Sequence, residues 1–367
     1  MNSTDLPRDS ARSGSRMSDI IEQDLQAVVA RDLPWERLSG ARVVVTGAGG
    51  FLGGYLVRTL LALHRLGKVS RPVTVVAMAR DDARARARFA DIPGGSHLEV
   101  LKWDLNAFEV PDLGNAQYVI HAASQASPRF YGTDPVGTLL PNTVGTATLL
   151  QALLRSDDAR GFMFVSSSEV YGAVACEKTL PETAYGVVDP ATVRACYAES
   201  KRMGETMCVA WKQQHGLPTY IVRPFHTYGP GLTPEDGRVF ADFAFNVVRN
   251  EDIVMNSDGT ARRAFCYASD AVAGFLTVLL KGEAGAAYNV ANSSAELSVM
   301  ELGEMLVSLF PEKKLRVERR VDTASPNYIP SAYNRLVPDT TRLESLGWKA
   351  EVTPQDGFKR MIEANQP

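Results

Sequence analysis

Apolar positions along the chain fall into short unbroken runs, separated by longer stretches in which they recur at helical spacing. Ile20, Ile21, Leu25, Val28 and Val29 share one helical face, which predicts a helix within residues 18–40 packed on the main body. From Ala41 onward strands and helices alternate. The runs "ARVVVTGAGG", "VTVVAMA", "LEVLKWDL", "YVIHAAS", "GFMFVSS" and "TYIVRPF" predict successive strands. Helical spacing appears in "FLGGYLVRTLLALHRL", in "TVGTATLLQALLR" and in the long segment from Tyr197 to His215. Strands that are apolar throughout are buried on both faces, so the pattern predicts an α/β fold with a doubly wound parallel sheet. Past Gly229 the rhythm changes: strands shorten, prolines recur, and "SDAVAGFLTVLL" reads as a helix returning to the sheet. The expected organisation is a sheet domain over 41–229, with 264–282 returning to it. A smaller lobe from 230–263 and 283–367 is interleaved with that domain. Residues 1–17 are rich in Ser, Asp and Arg and predict a disordered tail.

Composition narrows the function classes. The chain has 367 residues, 45% of them hydrophobic, and a net charge of -3. This balance gives no basis for a nucleic-acid or anionic-membrane partner. The run "RDDARARARF" has aspartates nearby and reads as a solvated helix face. No apolar stretch is long enough to span a bilayer, and the N-terminus lacks the apolar core of a secretory signal. Cys176, Cys196, Cys208 and Cys266 do not have metal-ligand spacing, so no metal site is expected. They read as the reduced thiols of a cytoplasmic protein.

The segment "VVVTGAGGFLGGYL" places Gly47, Gly50 and Gly53 between a strand and a helix, with Phe51 and Leu52 in the first helical turn. Glycines permit a tight turn and close backbone approach to a pyrophosphate, and the helix N-terminus favours negative charge. A Rossmann-like dinucleotide site is therefore expected. No Gly-Lys-Ser/Thr follows, which excludes a Walker loop. An acid at the end of the second strand binds the ribose of NAD, and an arginine can accept the extra phosphate of NADP. Here "AMARDD" offers Arg80 and Asp81 together, so both cofactors stay open at this position. Asp104 and Leu105 are candidates for the adenine edge.

Tyr197 and Lys201 are i and i+4 on a helix and so face the same way. A free tyrosine is a poor base at neutral pH. A neighbouring ammonium and a cationic nicotinamide would lower its pKa, so that Tyr197 removes a hydroxyl proton while hydride leaves the same carbon. A serine from "FVSSSEVYG" would hold the same substrate oxygen.

These motifs together resemble the extended short-chain dehydrogenase/reductases of the nucleotide-sugar epimerase/dehydratase group. "TGAGGFLG", "HAAS", "SSSEVYG", "YAESK" and "RPFHTYGP" occur in the group's order, between roughly Ala41 and Ile362. The resemblance makes Ser167, Tyr197 and Lys201 the catalytic triad. It adds Ala122, Ala123, Ser124 and Arg223 to the cofactor contacts and implies NAD, a nucleotide-sugar substrate bound in the smaller lobe, and a homodimer. The dimer would pair "TVGTATLLQALL" and the helix from Tyr197 with their counterparts. Several segments are most similar to UDP-glucuronate decarboxylases: "ASPRFYGTDPVGTLLPNTVGT", "SSEVYG", "EDGRVFADF" and "RRAFCYASD". This implies proton-managing roles for Ser168 and Glu169 and substrate contacts for Tyr131, Ser168, Glu169, Arg238, Val239 and Arg263. The dehydratases carry Asp-Glu where this chain has Ser168-Glu169. Two departures stand out: His226 replaces the usual asparagine, and Arg335 of "NRLVPD" lies one place earlier than in the decarboxylases. Both remain candidate substrate contacts, Arg335 for a diphosphate or carboxylate. A 4-epimerase, then a 4,6-dehydratase, would use the same triad. A non-catalytic dinucleotide sensor is the reading from a different class.

Overall fold

A computed structural model describes residues 8–92, 95–174, 179–320 and 334–366. Cys176 and residues 1–7 of the expected tail lie outside them. The N-terminal helix α1 (Arg8–Val29) begins earlier than the apolar stripe alone suggests, and takes in residues 8–17 that were expected to be tail. Its buried side is Ile20, Leu25, Val28 and Val29. A buried carboxylate fastens it: Asp24 accepts hydrogen bonds from the Tyr55 hydroxyl at 3.0 Å, the Tyr267 hydroxyl at 2.8 Å and Arg360 at 3.0 Å.

The main sheet contains β1 (Arg42–Thr46), β2 (Thr74–Ala79), β3 (Leu98–Lys102), β4 (Tyr118–His121), β5 (Gly161–Val165), β6 (Thr219–Pro224) and β10 (Ala287–Val290). All pair in parallel, in the order β10-β6-β5-β4-β1-β2-β3. The six strands read from the sequence are present. The seventh, β10, falls within the segment assigned to the lobe; it pairs with β6 and completes the sheet edge. Most sheet positions are buried on both faces, as the unbroken apolar runs require. Helices α2 (Phe51–Arg65), α3 (Asp82–Arg88), α4 (Arg129–Thr133), α5 (Pro135–Asn142), α6 (Val144–Leu153), α7 (Ala195–His215) and α9 (Ala268–Lys281) connect and cover these strands. Every described residue of α9 up to Leu280 is buried, consistent with its reading as a helix returning to the sheet domain.

Sequence order reverses between β1 and β4, and such a switch point opens a crevice at the carboxyl ends of the strands. Over that crevice sits a smaller assembly. It comprises β7 (His226–Tyr228), β9 (Arg262–Tyr267), β11 (Glu296–Ser298) and β13 (Arg335–Leu336), with β8 (Ile253–Met255) paired to β12 (Val317–Arg319). Helices α8 (Val239–Arg249), α10 (Val299–Ser308), α11 (Thr341–Glu344) and α12 (Pro354–Ala364) complete the chain. An aromatic cluster of Tyr228, Phe240, Phe265 and Phe358 packs its core. No helix among the described residues is long and apolar enough to cross a membrane.

Candidate active site

The crevice is a cleft of about 960 Å³ running from the end of β2 to the lobe. The glycine turn forms its floor. Gly47 has φ +66°, and a Cβ there would lie 2.7 Å from the Ala123 Cα. A Cβ on Gly53 would lie 2.2 Å from the Gly47 carbonyl oxygen. Both positions thus require glycine, one for backbone conformation and close approach, the other for helix–turn packing. No side chain caps α2 at Gly50, which leaves first-turn amides available to an anionic group. A pyrophosphate fits this cradle. Behind it, the Thr46 hydroxyl bridges His121 Nδ1 at 2.8 Å and the Ala123 amide at 3.1 Å. His121 Nε2 lies 2.9 Å from the Pro141 carbonyl, so Nε2 carries the proton and Nδ1 accepts from Thr46. Burial pushes the His121 pKa down to about 3, which keeps the ring neutral.

The three serines after β5 take different partners. Ser166 donates to Glu205 at 2.5 Å, away from the cleft's chemistry. Ser167 accepts from the Glu169 amide at 3.2 Å and lies close enough to the Tyr197 phenol to act on its pKa. Ser168 starts the following turn and lines the cleft with Glu169. Tyr197 and Lys201 project from the same side of α7 into the cleft. The Lys201 ammonium donates to the Val165 carbonyl at 2.7 Å and lies 5.7 Å from the centre of the Tyr197 ring. Burial lowers the Lys201 pKa to about 7, partly opposed by Glu205. Burial raises the Tyr197 pKa to about 12, opposed by the nearby Ser167 hydroxyl, so the phenol is protonated in the ligand-free protein; the lowering expected of it depends on a cationic nicotinamide beside the ring.

Tyr131 stacks on Tyr197 with ring centres 5.0 Å apart, and the Arg194 guanidinium lies over the Tyr131 ring, 4.7 Å from its centre. Arg194 also pairs with Glu169 at 3.0 Å. Sequence reasoning missed Arg194. Its position immediately before α7, three residues ahead of Tyr197, was the available signal. On the lobe side, His226 lines the cleft from β7, edge-on to Phe240 and Phe265. Its Nδ1 is buried without a partner, and burial pushes its pKa down to about 3. Arg238 lines the cleft while paired with Asp236 at 2.6 Å.

Gly47, Gly50, Phe51, Leu52, Gly53, Arg80, Asp104, Leu105, Ala122, Ala123 and Ser124 also line this cleft. Four anticipated residues do not. Arg223 is buried in a bidentate pair with Glu205 at 2.9 and 2.6 Å, and donates to the Tyr171 hydroxyl and the Glu182 carbonyl. It braces β6 against α7 and does not line the cleft. Arg335 pairs with Glu296 at 2.9 Å, and Arg262 shares that carboxylate at 2.8 Å. Arg263 donates to the Arg262 carbonyl at 2.7 Å, and Val239 opens α8 in an exposed position.

Residues 43–291 match the model of the NAD dependent epimerase/dehydratase family. UDP-glucuronic acid decarboxylase 5 of Arabidopsis thaliana is 31% identical over 326 residues, covering 89% of this chain and 89% of its own. UDP-glucuronic acid decarboxylase 6 of the same plant is 31% identical over 327 residues, again 89% of each. A crystal structure of UDP-glucuronic acid 4-epimerase from Bacillus cereus, in complex with UDP-glucuronic acid and NAD, has the same fold. Its TM-score is 0.73 at 21% identity, over 88% of this chain and 98% of that one. With a glycine cradle at the sheet's switch point and a Tyr–Lys pair beside it, the chain belongs to the NAD-dependent epimerase/dehydratase family.

Proposed function

We propose that this protein decarboxylates a nucleoside-diphosphate glucuronic acid, UDP-glucuronate in the first instance, through transient oxidation at C4. The observation that carries the reading is the Ser168-Glu169 pair set beside Ser167, Tyr197 and Lys201 in one cleft. The 31% identity to the decarboxylases over nearly the whole chain supports it. The glycine turn and the start of α2 would hold the dinucleotide's pyrophosphate. The bound nicotinamide supplies reversible hydride acceptance at C4. The positive charge of Lys201 and of the oxidised dinucleotide would draw the Tyr197 phenol into its phenolate form, its proton passing to solvent. The phenolate then takes the proton of the C4 hydroxyl, and Ser167 holds the same oxygen. A C4 ketone makes the C5 carboxylate a β-keto acid: the C5–C6 bond breaks, CO2 leaves, and the electron pair forms an enolate across C4–C5. Glu169, oriented by Arg194, delivers the proton to C5 with Ser168. Tyr197 returns its proton to the C4 oxygen as the ketone is reduced.

A 4-epimerase is the second reading, favoured by His226 in place of asparagine and by Arg335, which Glu296 holds outside the cleft. Incubation with UDP-glucuronate and mass spectrometry of the product separates the two. Loss of CO2 supports decarboxylation. An isomer of unchanged mass establishes the epimerase. Loss of water from a neutral nucleotide hexose, with no reaction of the glucuronate, refutes both in favour of a 4,6-dehydratase. Turnover of no nucleotide sugar despite bound dinucleotide would leave a sensor.

We also infer a homodimer. Val136 and Leu139 on α5 and Met203 and Val209 on α7 are exposed, whereas the α6 leucines 149, 150 and 153 are buried in the core. The pairing surface is therefore α5 with α7, and α6 contributes inwardly. Light scattering at micromolar concentration tests this; a monomer refutes it. Nucleotide-sugar chemistry, with Cys196, Cys208 and Cys266 as free thiols, supports a cytoplasmic setting.

A further inference from the structure

The cleft extends past the glycine turn to a region built from the ends of β2 and β3, where Arg80, Arg84, Trp103 and Asp104 line it. The carboxylates here accept hydrogen bonds from neutral amide groups. Asp81 accepts the Arg84 amide at 2.9 Å as the cap of α3. Asp104 accepts the Asn106 amide at 3.0 Å. Asp134 accepts from Gln125 at 2.9 Å and from the Gly137 amide at 3.0 Å.

The cations are not matched in this way. Arg80 and Arg84 are exposed, and neither guanidinium makes a hydrogen bond or ion pair with a described residue. One turn beyond, Arg88 has a buried Nε without a partner, and the nearby Asp91 is engaged bidentately by Arg58. Asp134 and Glu235 lie within electrostatic reach of Arg80 and Arg84, but the hydrogen-bond donors of both guanidiniums are left unengaged at this end of the cleft. A ribose 2′-hydroxyl is recognised by an acceptor, whereas a 2′-phosphate is recognised by cations that donate several hydrogen bonds at once.

We infer that this end takes the adenosine 2′-phosphate of an NADP-type dinucleotide, with Arg80 and Arg84 as the residues that select it. The inference rests on the reading that the cleft holds a dinucleotide, and departs from the family's usual NAD at one subsite. Arg80 leaves the strand end directly. Arg84 lies four residues on, in the first turns of α3, so the two guanidiniums approach from adjacent elements. A phosphate monoester carries nearly two negative charges at neutral pH and offers acceptors to both.

The test uses the full-length protein. Nucleotide released from it by denaturation is identified by mass spectrometry, and NAD+ and NADP+ are titrated calorimetrically into nucleotide-free protein. NADP+ is expected to bind about tenfold tighter or more, as charge-assisted bonds to a phosphate allow. Arg80→Ala and Arg84→Ala should each narrow that ratio about fivefold, leaving NAD+ affinity within about twofold. Adenosine 2′,5′-bisphosphate should likewise outcompete adenosine 5′-monophosphate. Released NAD, NAD+ binding equal to or tighter than NADP+, or variants that weaken both dinucleotides alike would overturn the 2′-phosphate site. Tight NAD+ binding would do so while leaving the proposed sugar chemistry standing. Binding of neither dinucleotide would overturn the cofactor reading as well.

Discussion

Lys201→Met should change how stability depends on pH, by an amount set by the lysine's surroundings. The ammonium lies against the Phe164 ring at 4.8 Å and finds the Val165 carbonyl at 2.7 Å. Its nearest carboxylate on the same helix, Glu205, is already taken by Arg223 and Ser166. Tyr197 and the neutral His121 offer no negative charge. Desolvation therefore dominates and brings the folded-state pKa to about 7, against 10.5 for a free lysine. Between these values the unfolded chain holds a proton that the folded chain lacks, so stability rises with pH through that window and is flat below it. Integrating from pH 7 to pH 9 gives a gain of about 2 kcal/mol for the wild type. Methionine has no proton to bind and should show none of this gain, while every other titrating group is common to both proteins. Urea unfolding of nucleotide-free wild type and variant at the two pH values measures it. The wild-type-minus-variant difference should grow by about 2 kcal/mol. A difference that stays constant within a few tenths would show that the lysine is not desolvated as the packing implies and keeps its proton throughout this pH range.

Tyr197→Phe removes one hydroxyl, so dinucleotide binding should persist while turnover falls about 10²–10⁴-fold; near-normal turnover in a steady-state assay would exclude Tyr197 as the acid–base group. Gly53→Ala forces a Cβ to within 2.2 Å of a backbone oxygen in the phosphate turn. Calorimetry should show dinucleotide binding weakened about tenfold or more, and wild-type affinity would refute the tightness of that turn. Asp24→Ala strips the acceptor from two buried tyrosine hydroxyls and from Arg360. It should cost about 3 kcal/mol or more in urea unfolding, and a change below about 1 kcal/mol would mean that α1 is not fastened through this carboxylate.

Local sequence determined the frame of this protein. Unbroken apolar runs fixed strands that must be buried on both faces, and Gly47, Gly50 and Gly53 fixed a turn that only small residues permit. The four-residue spacing of Tyr197 and Lys201 fixed their common face, because helical geometry repeats at that interval. These features depend on neighbours a few positions apart. Charge pairing does not. Glu205 and Arg223 are 18 positions apart, Glu296 and Arg335 are 39 apart, and Asp24 meets Tyr267 across 243. Which arginine is drawn into a salt bridge and which remains in the cleft was decided only when the strands took their order. Arg223 and Arg335 were read as ligand contacts because motif position says nothing of competing carboxylates. Arg194 went unread because its stack on Tyr131 joins segments that local periodicity leaves unconnected. The edge strand Ala287–Val290 joined the main sheet for the same reason: its place depends on the free edge of β6, a partner that only tertiary packing supplies.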